Sequence, residues 1–171
     1  MKKIILSFLA AAALFSLHAQ SAQKMTEIIT RDEINYGDVS YFLSIQAGLC
    51  SDQVSEKDAF ISLYKEGYFP ENFDELSDTK MEGEAEEIIS RKIRLNDLAL
   101  LCTKAYGIKG GIFYRITKAP RYALRELKAR QIVQNDADPA SYVSGKTFLG
   151  ILSGIEEYKS AAGVKKEASD E

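Results

Sequence analysis

The feature that most constrains this chain is that it repeats itself. INYGDVSYFLSIQAGL (34–49) lies over IRLNDLALLCTKAYGI (93–108) without a gap. Ile34/Ile93, Asp38/Asp97 and Gly48/Gly107 are identical, and the apolar positions Val39/Leu98, Tyr41/Leu100, Phe42/Leu101 and Leu49/Ile108 agree. A third, shorter copy is VSGKTFLGIL (143–152), in which Val143 takes the isoleucine place, Phe148 matches Leu98 and Ile151 matches Leu101. A second unit alternates with the first: AFISLYKEGYF (59–69) resembles ALRELKARQIV (123–133). Units this short cannot bury an apolar face alone. They are stable only when neighbours stack and share a core.

Both units read as amphipathic helices. Phe60, Leu63 and Tyr64 in one copy, and Leu124 and Leu127 in the other, sit at helical spacing. Gly67 suits a helix stop, and Gln131 stands in its place in the later copy. In the first unit an extended apolar residue (Ile34, Ile93, Val143) precedes small polar or turn residues, Asn35 and Gly37, Asn96, and Ser144. These suit helix starts, because short polar side chains cap free N–H groups. Asp38 and Asp97 then fall in the first turn, where the helix dipole favours them. The expected fold is all-α, a helical array with repeat units at about 34–69, 93–133 and 143–155. GGIFYRI (110–116) alternates in the manner of a short strand. Residues 71–87 hold eight acids and one lysine, so 70–87 reads as a solvated acidic loop, with a helix starting near Glu84.

The ends of the chain have their own character. Lys2 and Lys3, an apolar run from Ile4 to Leu17, and small residues at Ala19, Ser21 and Ala22 form the pattern of a signal peptide over 1–22. The run is short for a membrane span, and no later segment is apolar enough for one. The expected location is therefore periplasmic or secreted. The tail 159–171 is small and polar and is expected to be disordered. With Lys2 and Lys3 removed, 20 Lys and Arg face 25 Asp and Glu, a net charge of −5. Such a balance argues against nucleic acid as a partner. The single histidine, His18, lies in the leader, so histidine-based triads and metal ligands drop out together. No metal or cofactor is expected.

The candidate binding residues cluster. Arg115, Lys118, Arg121, Arg125, Lys128 and Arg130 fall within 16 residues, opposed only by Glu126. On a helix starting at Pro120, Arg121, Arg125 and Lys128 share a face. With Arg115, Lys118 and Tyr122 they form a candidate contact for an anionic polymer, a lipid headgroup or an acidic protein. The competing reading is a solvated helix face paired to the acidic loop. SGKT (144–147) lacks the upstream glycine of a phosphate-binding loop and reads as a helix cap. Cys50 and Cys102 are candidates for a disulfide in an oxidising compartment, although Cys102 aligns with core Leu43 and the repeat does not require a bond.

PRYALRELKARQIV followed by VSGKTFLGIL resembles the surface-layer homology family. Tyr122 and Ala123 match the aromatic-Ala opening of that module. Leu124, Leu127 and Ile132 follow its first helix, and Val143 begins its second. Ile93-Arg94 before Asp97-Leu98-Ala99 fits the second-helix start of the preceding copy. NYGD, RLND and SGKT stand where the family carries Thr-Arg-Ala-Glu. The resemblance spans 34–155, as half a module and then two, inside a helical domain expected over 23–158. It implies grooves beside the second-helix turns that take anionic cell-wall polysaccharide. The expected role is thus non-enzymatic binding or scaffolding at the cell envelope, with cell-wall polysaccharide or an envelope protein as partner. The alternatives are an adaptor subunit of a periplasmic complex and, more weakly, a wall hydrolase using a carboxylate pair.

Overall fold

The computed structural model describes residues 23–70, 73 and 81–167, with side chains left aside at 81–82 and 162–167. The segment expected to be a signal peptide and half of the acidic stretch 70–87 lie outside these residues. Among the described residues the chain forms eight helices and no sheet. They are α1 (23–29), α2 (Tyr36–Gln46), α3 (Glu56–Lys65), α4 (Met81–Ile89), α5 (Leu95–Ala105), α6 (Ile112–Thr117), α7 (Pro120–Ala129) and α8 (Gly145–Glu167). No described helix is long and apolar enough to cross a membrane.

The three extended residues of the repeat meet at one point. The Ile34 N–H donates to the Val143 carbonyl (2.9 Å), the Val143 N–H to the Ile93 carbonyl (3.3 Å) and the Ile93 N–H to the Ile34 carbonyl (3.1 Å). The ring closes on itself. Two residues further along, Tyr36 donates to Arg91, Leu95 to Ser141 and Gly145 to Arg31, each at 3.0 Å. Three copies are therefore stitched around a pseudo-threefold axis by main-chain bonds alone. Ile34, Ile93 and Val143 are wholly buried there, each contributing about 2 kcal/mol of hydrophobic stabilisation. α2, α5 and α8 leave this centre as equivalent helices, with Val39, Leu98 and Phe148 buried at matching positions.

α3 and α7 are the second repeated unit. Ala59/Ala123, Phe60/Leu124, Leu63/Leu127 and Phe69/Val133 are buried pair by pair. α3 packs with α2, and α7 with α5. Four helices end in the same way. Gly48, Gly67, Gly107 and Gln131 each adopt positive φ (73°, 70°, 64° and 60°). The following N–H reaches back to Ser44, Leu63, Thr103 or Leu127 respectively (2.9–3.0 Å). This double closure is the Schellman motif.

Several expectations need correction. Residues 112–117 are helical rather than extended: Gly111 is the N-cap, and Tyr114 alone turns inward. Ile112 and Ile116 are four residues apart, two steps of strand alternation but also about one helical turn, so the pattern fits both. The acidic loop gives way to helix from Met81, and its Glu86 and Glu87 pair with Lys57 (3.2 Å) and Arg91 (2.9 Å). The tail is helical through Glu167 rather than disordered after Tyr158. Ala161 supports a helix, alanine having the highest helix propensity. Cys50 and Cys102 are free thiols. Cys102 is buried inside α5, whereas Cys50 turns to the Ser62 hydroxyl on α3 (3.4 Å). Finally, α5 is capped by Arg94 without a side-chain bond. Asn96 lies inside the first turn and accepts from the Asp97 N–H (2.9 Å).

Candidate functional site

The heads of the repeated helices carry the polar chemistry. At α2, Asn35 and Asp38 form a reciprocal capping box: the Asp38 N–H donates to Asn35 Oδ1 (2.8 Å) and the Asn35 N–H to Asp38 Oδ2 (3.2 Å). Arg31 Nη1 donates to both Asp38 oxygens (2.7 and 2.6 Å). Burial raises the Asp38 pKa, with the Asn35 amide and the Arg31 charge pulling the other way. At α8 the Ser144 hydroxyl accepts from the Thr147 N–H (3.2 Å), so SGKT is a cap as expected. At α5 the cap position is Arg94, and the cap chemistry is replaced by something else.

A groove of about 530 Å³ opens there. Tyr36 lines it from the first copy, Arg91, Lys92, Arg94 and Asp97 from the second, and Tyr142 from the third. Its volume falls within the range of ligand clefts. Lys92 and Arg94 are exposed because the extended backbone turns Ile93 inward and its two neighbours outward, and Arg91 is exposed at the bend before them. The Lys92 ammonium pairs with Glu33, which raises its pKa. Its Nζ also stands 5.6 Å over the Tyr142 ring. The Tyr36 hydroxyl donates to Asp97 Oδ2 (3.2 Å). Burial pushes the Asp97 carboxyl above the usual carboxylate range, while that hydroxyl and the Arg94 charge oppose it. The groove thus gathers Arg94, two cations already held by acids (Arg91 by Glu87, Lys92 by Glu33), the exposed Tyr142 ring, and the hydroxyl of the otherwise buried Tyr36 on the Asp97 carboxylate. Arg94 and the Tyr142 ring are its exposed groups suited to an anionic, hydroxyl-rich molecule.

The basic window lies at the other end of α5, around α6 and α7. Arg115, Lys118, Arg121 and Arg125 are exposed there. Arg121 Nη2 donates to the Tyr122 hydroxyl (2.9 Å), and its guanidinium lies 4.6 Å over the Tyr122 ring. Lys128 leaves the candidate set: its ammonium donates to the Asn135 and Ala137 carbonyls (2.9 and 2.8 Å), stapling the loop after α7. Arg130 is likewise engaged, with Glu126 (2.6 Å) and with the Lys109 carbonyl (2.6 Å). Arg115 and Lys118 also border a broad cleft of about 1360 Å³ beside Tyr64, Tyr68 and Phe69. Lys104 in that cleft donates to the Gly67 and Phe69 carbonyls (2.9 and 3.1 Å).

Sequence reasoning found the α6–α7 cations and missed the groove. The available signal was RKIR (91–94), three cations flanking the repeat's extended isoleucine. What made it a site was the arrival of Tyr36 and Tyr142 from the other two copies. Among the described residues, no cluster of three or more His, Cys, Asp or Glu side chains could hold a metal ion. Compared with protein-family models, curated proteins and solved structures, the chain matches none of them.

Proposed function

We propose that this chain is a non-catalytic binding domain of the cell envelope, similar in architecture to surface-layer homology modules, which holds an anionic wall polysaccharide. The observation that carries the reading is the groove at the head of α5, where Arg91, Lys92 and Arg94 converge with Tyr36 and Tyr142. Guanidinium groups match carboxylate and phosphate oxygens in paired geometry. The exposed Tyr142 ring offers a flat face to a sugar, and its hydroxyl can meet polar substituents. The groove lies beside the helix start at which the resembling family builds its own ligand grooves, and it joins all three copies of the repeat.

The test is sedimentation of the exported protein with purified cell-wall sacculi at low and moderate salt, beside a variant carrying Arg91→Ala and Arg94→Ala. The wild type is expected to cosediment and to weaken as salt rises. The variant is expected to lose about tenfold or more in affinity, since one charge-assisted contact is worth roughly a factor of ten. Wild-type protein that stays in solution, or a variant that binds undiminished, would overturn the reading.

A further inference from the structure

α6 exposes what a soluble helix usually hides. Ile112 is 67% exposed, Phe113 60% and Ile116 74%. On a helix these three fall within about 100° of arc, with Tyr114 on the opposite side and Arg115 at the margin. The exposure is built into the fold. Tyr114 is buried, the Gly111 N–H donates to Glu126 Oε1 (2.8 Å) and Arg130 Nη2 holds the Lys109 carbonyl (2.6 Å). Glu126 is in turn paired with Arg130. Burial works to raise the Glu126 pKa, but the Arg130 and Gly111 donors and the charges of Arg130 and Arg125 hold it below the ordinary value. The helix is thus clamped at its base, with its apolar face pointing away from the protein. Phe113 stacks on Tyr122 (5.7 Å, 16°), and Arg121 covers that ring.

The exposed charged side chains from 112 to 121 are all cationic. Arg115, Lys118 and Arg121 surround it, on a chain whose expected processed form carries a net charge of −5. Ile112, Phe113 and Ile116 line neither the cleft nor the groove described above, so the patch projects rather than receives. Three side chains on a six-residue helix present far less than the about 800 Å² per partner that a stable protein interface buries. A small projecting apolar tip ringed by long cationic side chains suits the boundary of an anionic bilayer. There the apolar groups enter the acyl margin and the cations reach phosphate.

We propose that α6 is a membrane-docking tip, with Ile112, Phe113 and Ile116 inserting into the interface of an anionic bilayer and Arg115, Lys118 and Arg121 holding its headgroups. This goes beyond the wall-binding reading and uses different residues. The test is flotation of the exported protein with vesicles of phosphatidylcholine alone and with 30% phosphatidylglycerol, beside Ile112→Ser/Ile116→Ser and Arg115→Ala/Lys118→Ala variants. Wild type and variants share one N-terminus, so any difference between them isolates α6. The wild type is expected to float with anionic vesicles and hardly with neutral ones. Each double variant is expected to lose about tenfold or more in binding while keeping its helical circular dichroism and melting temperature. Three outcomes would overturn the proposal: no flotation with anionic vesicles, undiminished flotation of the serine variant, or a change of oligomeric state in that variant, which would make the face a contact between copies. None of these outcomes bears on sacculus binding by Arg91 and Arg94.

Discussion

The two ends of α5, about 16 Å apart over its 11 residues, follow opposite designs. At the head, three copies of the repeat meet, apolar side chains are buried and main-chain groups are paired in a closed ring. At the tail, a short helix turns its apolar side chains outward and is held by Glu126 of α7 and by Arg130 at its C-cap. The difference teaches why the repeat is so faint in sequence. A junction made of backbone N–H and C=O groups asks little of side-chain identity, so NYGD, RLND and SGKT drift apart while the ring persists. An exposed tip clamped by particular side chains has no such freedom, and among the described residues it occurs in one copy.

The sharpest way to break the head is at Gly145, the one ring position where identity is fixed. A Cβ there would fall inside the van der Waals envelope of the Ile28 carbonyl oxygen. Backbone cannot rotate aside as a flexible side chain does, so α1 and α8 would have to separate. Gly145→Ala is expected to cost about 3 kcal/mol or more, read as a lowered urea midpoint. Gly150, one and a half turns along the same helix, has nothing within 4 Å of its would-be Cβ. Gly150→Ala is expected to gain about 0.5–1 kcal/mol from helix propensity. Equal effects of the two substitutions would dissolve the claim that the junction is uniquely tight.

A smaller effect separates the two aspartates that the repeat aligns. Asp38 closes a cap and holds Arg31, itself 37% exposed in its side chain. Asp38→Ala leaves the Asn35 N–H and the guanidinium without that partner, at an expected cost of about 2–3 kcal/mol, discounted because water can reach Arg31. Asp97 receives one hydroxyl and is mainly burdened by burial. Asn at this position keeps an acceptor for Tyr36, so Asp97→Asn is expected to leave neutral-pH stability unchanged or raise it by up to about 1 kcal/mol. The sign with pH follows. A carboxyl whose folded pKa is raised binds its proton more tightly folded than unfolded. Its share of stability therefore grows as pH falls from the raised value toward the ordinary 3.8, and is lost as pH climbs back. Denaturation midpoints measured across that window should show this slope in the wild type and a shallower one in Asp97→Asn.

The same contrast marks what was legible in the sequence. The all-helical class, the equivalence of Ile34, Ile93 and Val143, and the buried pairs of α3 and α7 follow from apolar spacing, because burial acts on each position in its own helix. Helix stops at Gly48, Gly67 and Gly107 follow from the rarity of positive φ in other residues. Three-body geometry was beyond reach. Nothing local to RKIR says that Tyr142 stands beside it, and nothing local to Lys128 says that two carbonyls from a later loop will take its donors. The strand reading of 110–116 failed because seven residues are too few to separate a period of two from a helical turn. The disulfide reading failed against information already present, the alignment of Cys102 with Leu43 inside a buried helix.

The smallest expected effect concerns Gln131, the exception among the four helix stops. It carries φ of 60°, while its own N–H reaches Lys128 (2.9 Å) and the next reaches Leu127 (3.0 Å). These are the bonds made at Gly67, so the motif's geometry is independent of the residue that bears it. What differs is the steric cost of a Cβ in the left-handed region, about 1 kcal/mol. Gln131 is exposed, so glycine there forfeits little packing, although it gains backbone freedom in the unfolded chain. Gln131→Gly is expected to stabilise the protein by somewhat under 1 kcal/mol, a shift of a few degrees in melting temperature for a chain of this size. A loss instead would mean that the glutamine side chain supports the turn from α7 toward Val143. The third copy's approach to the ring would then depend on a side chain where the second copy's does not.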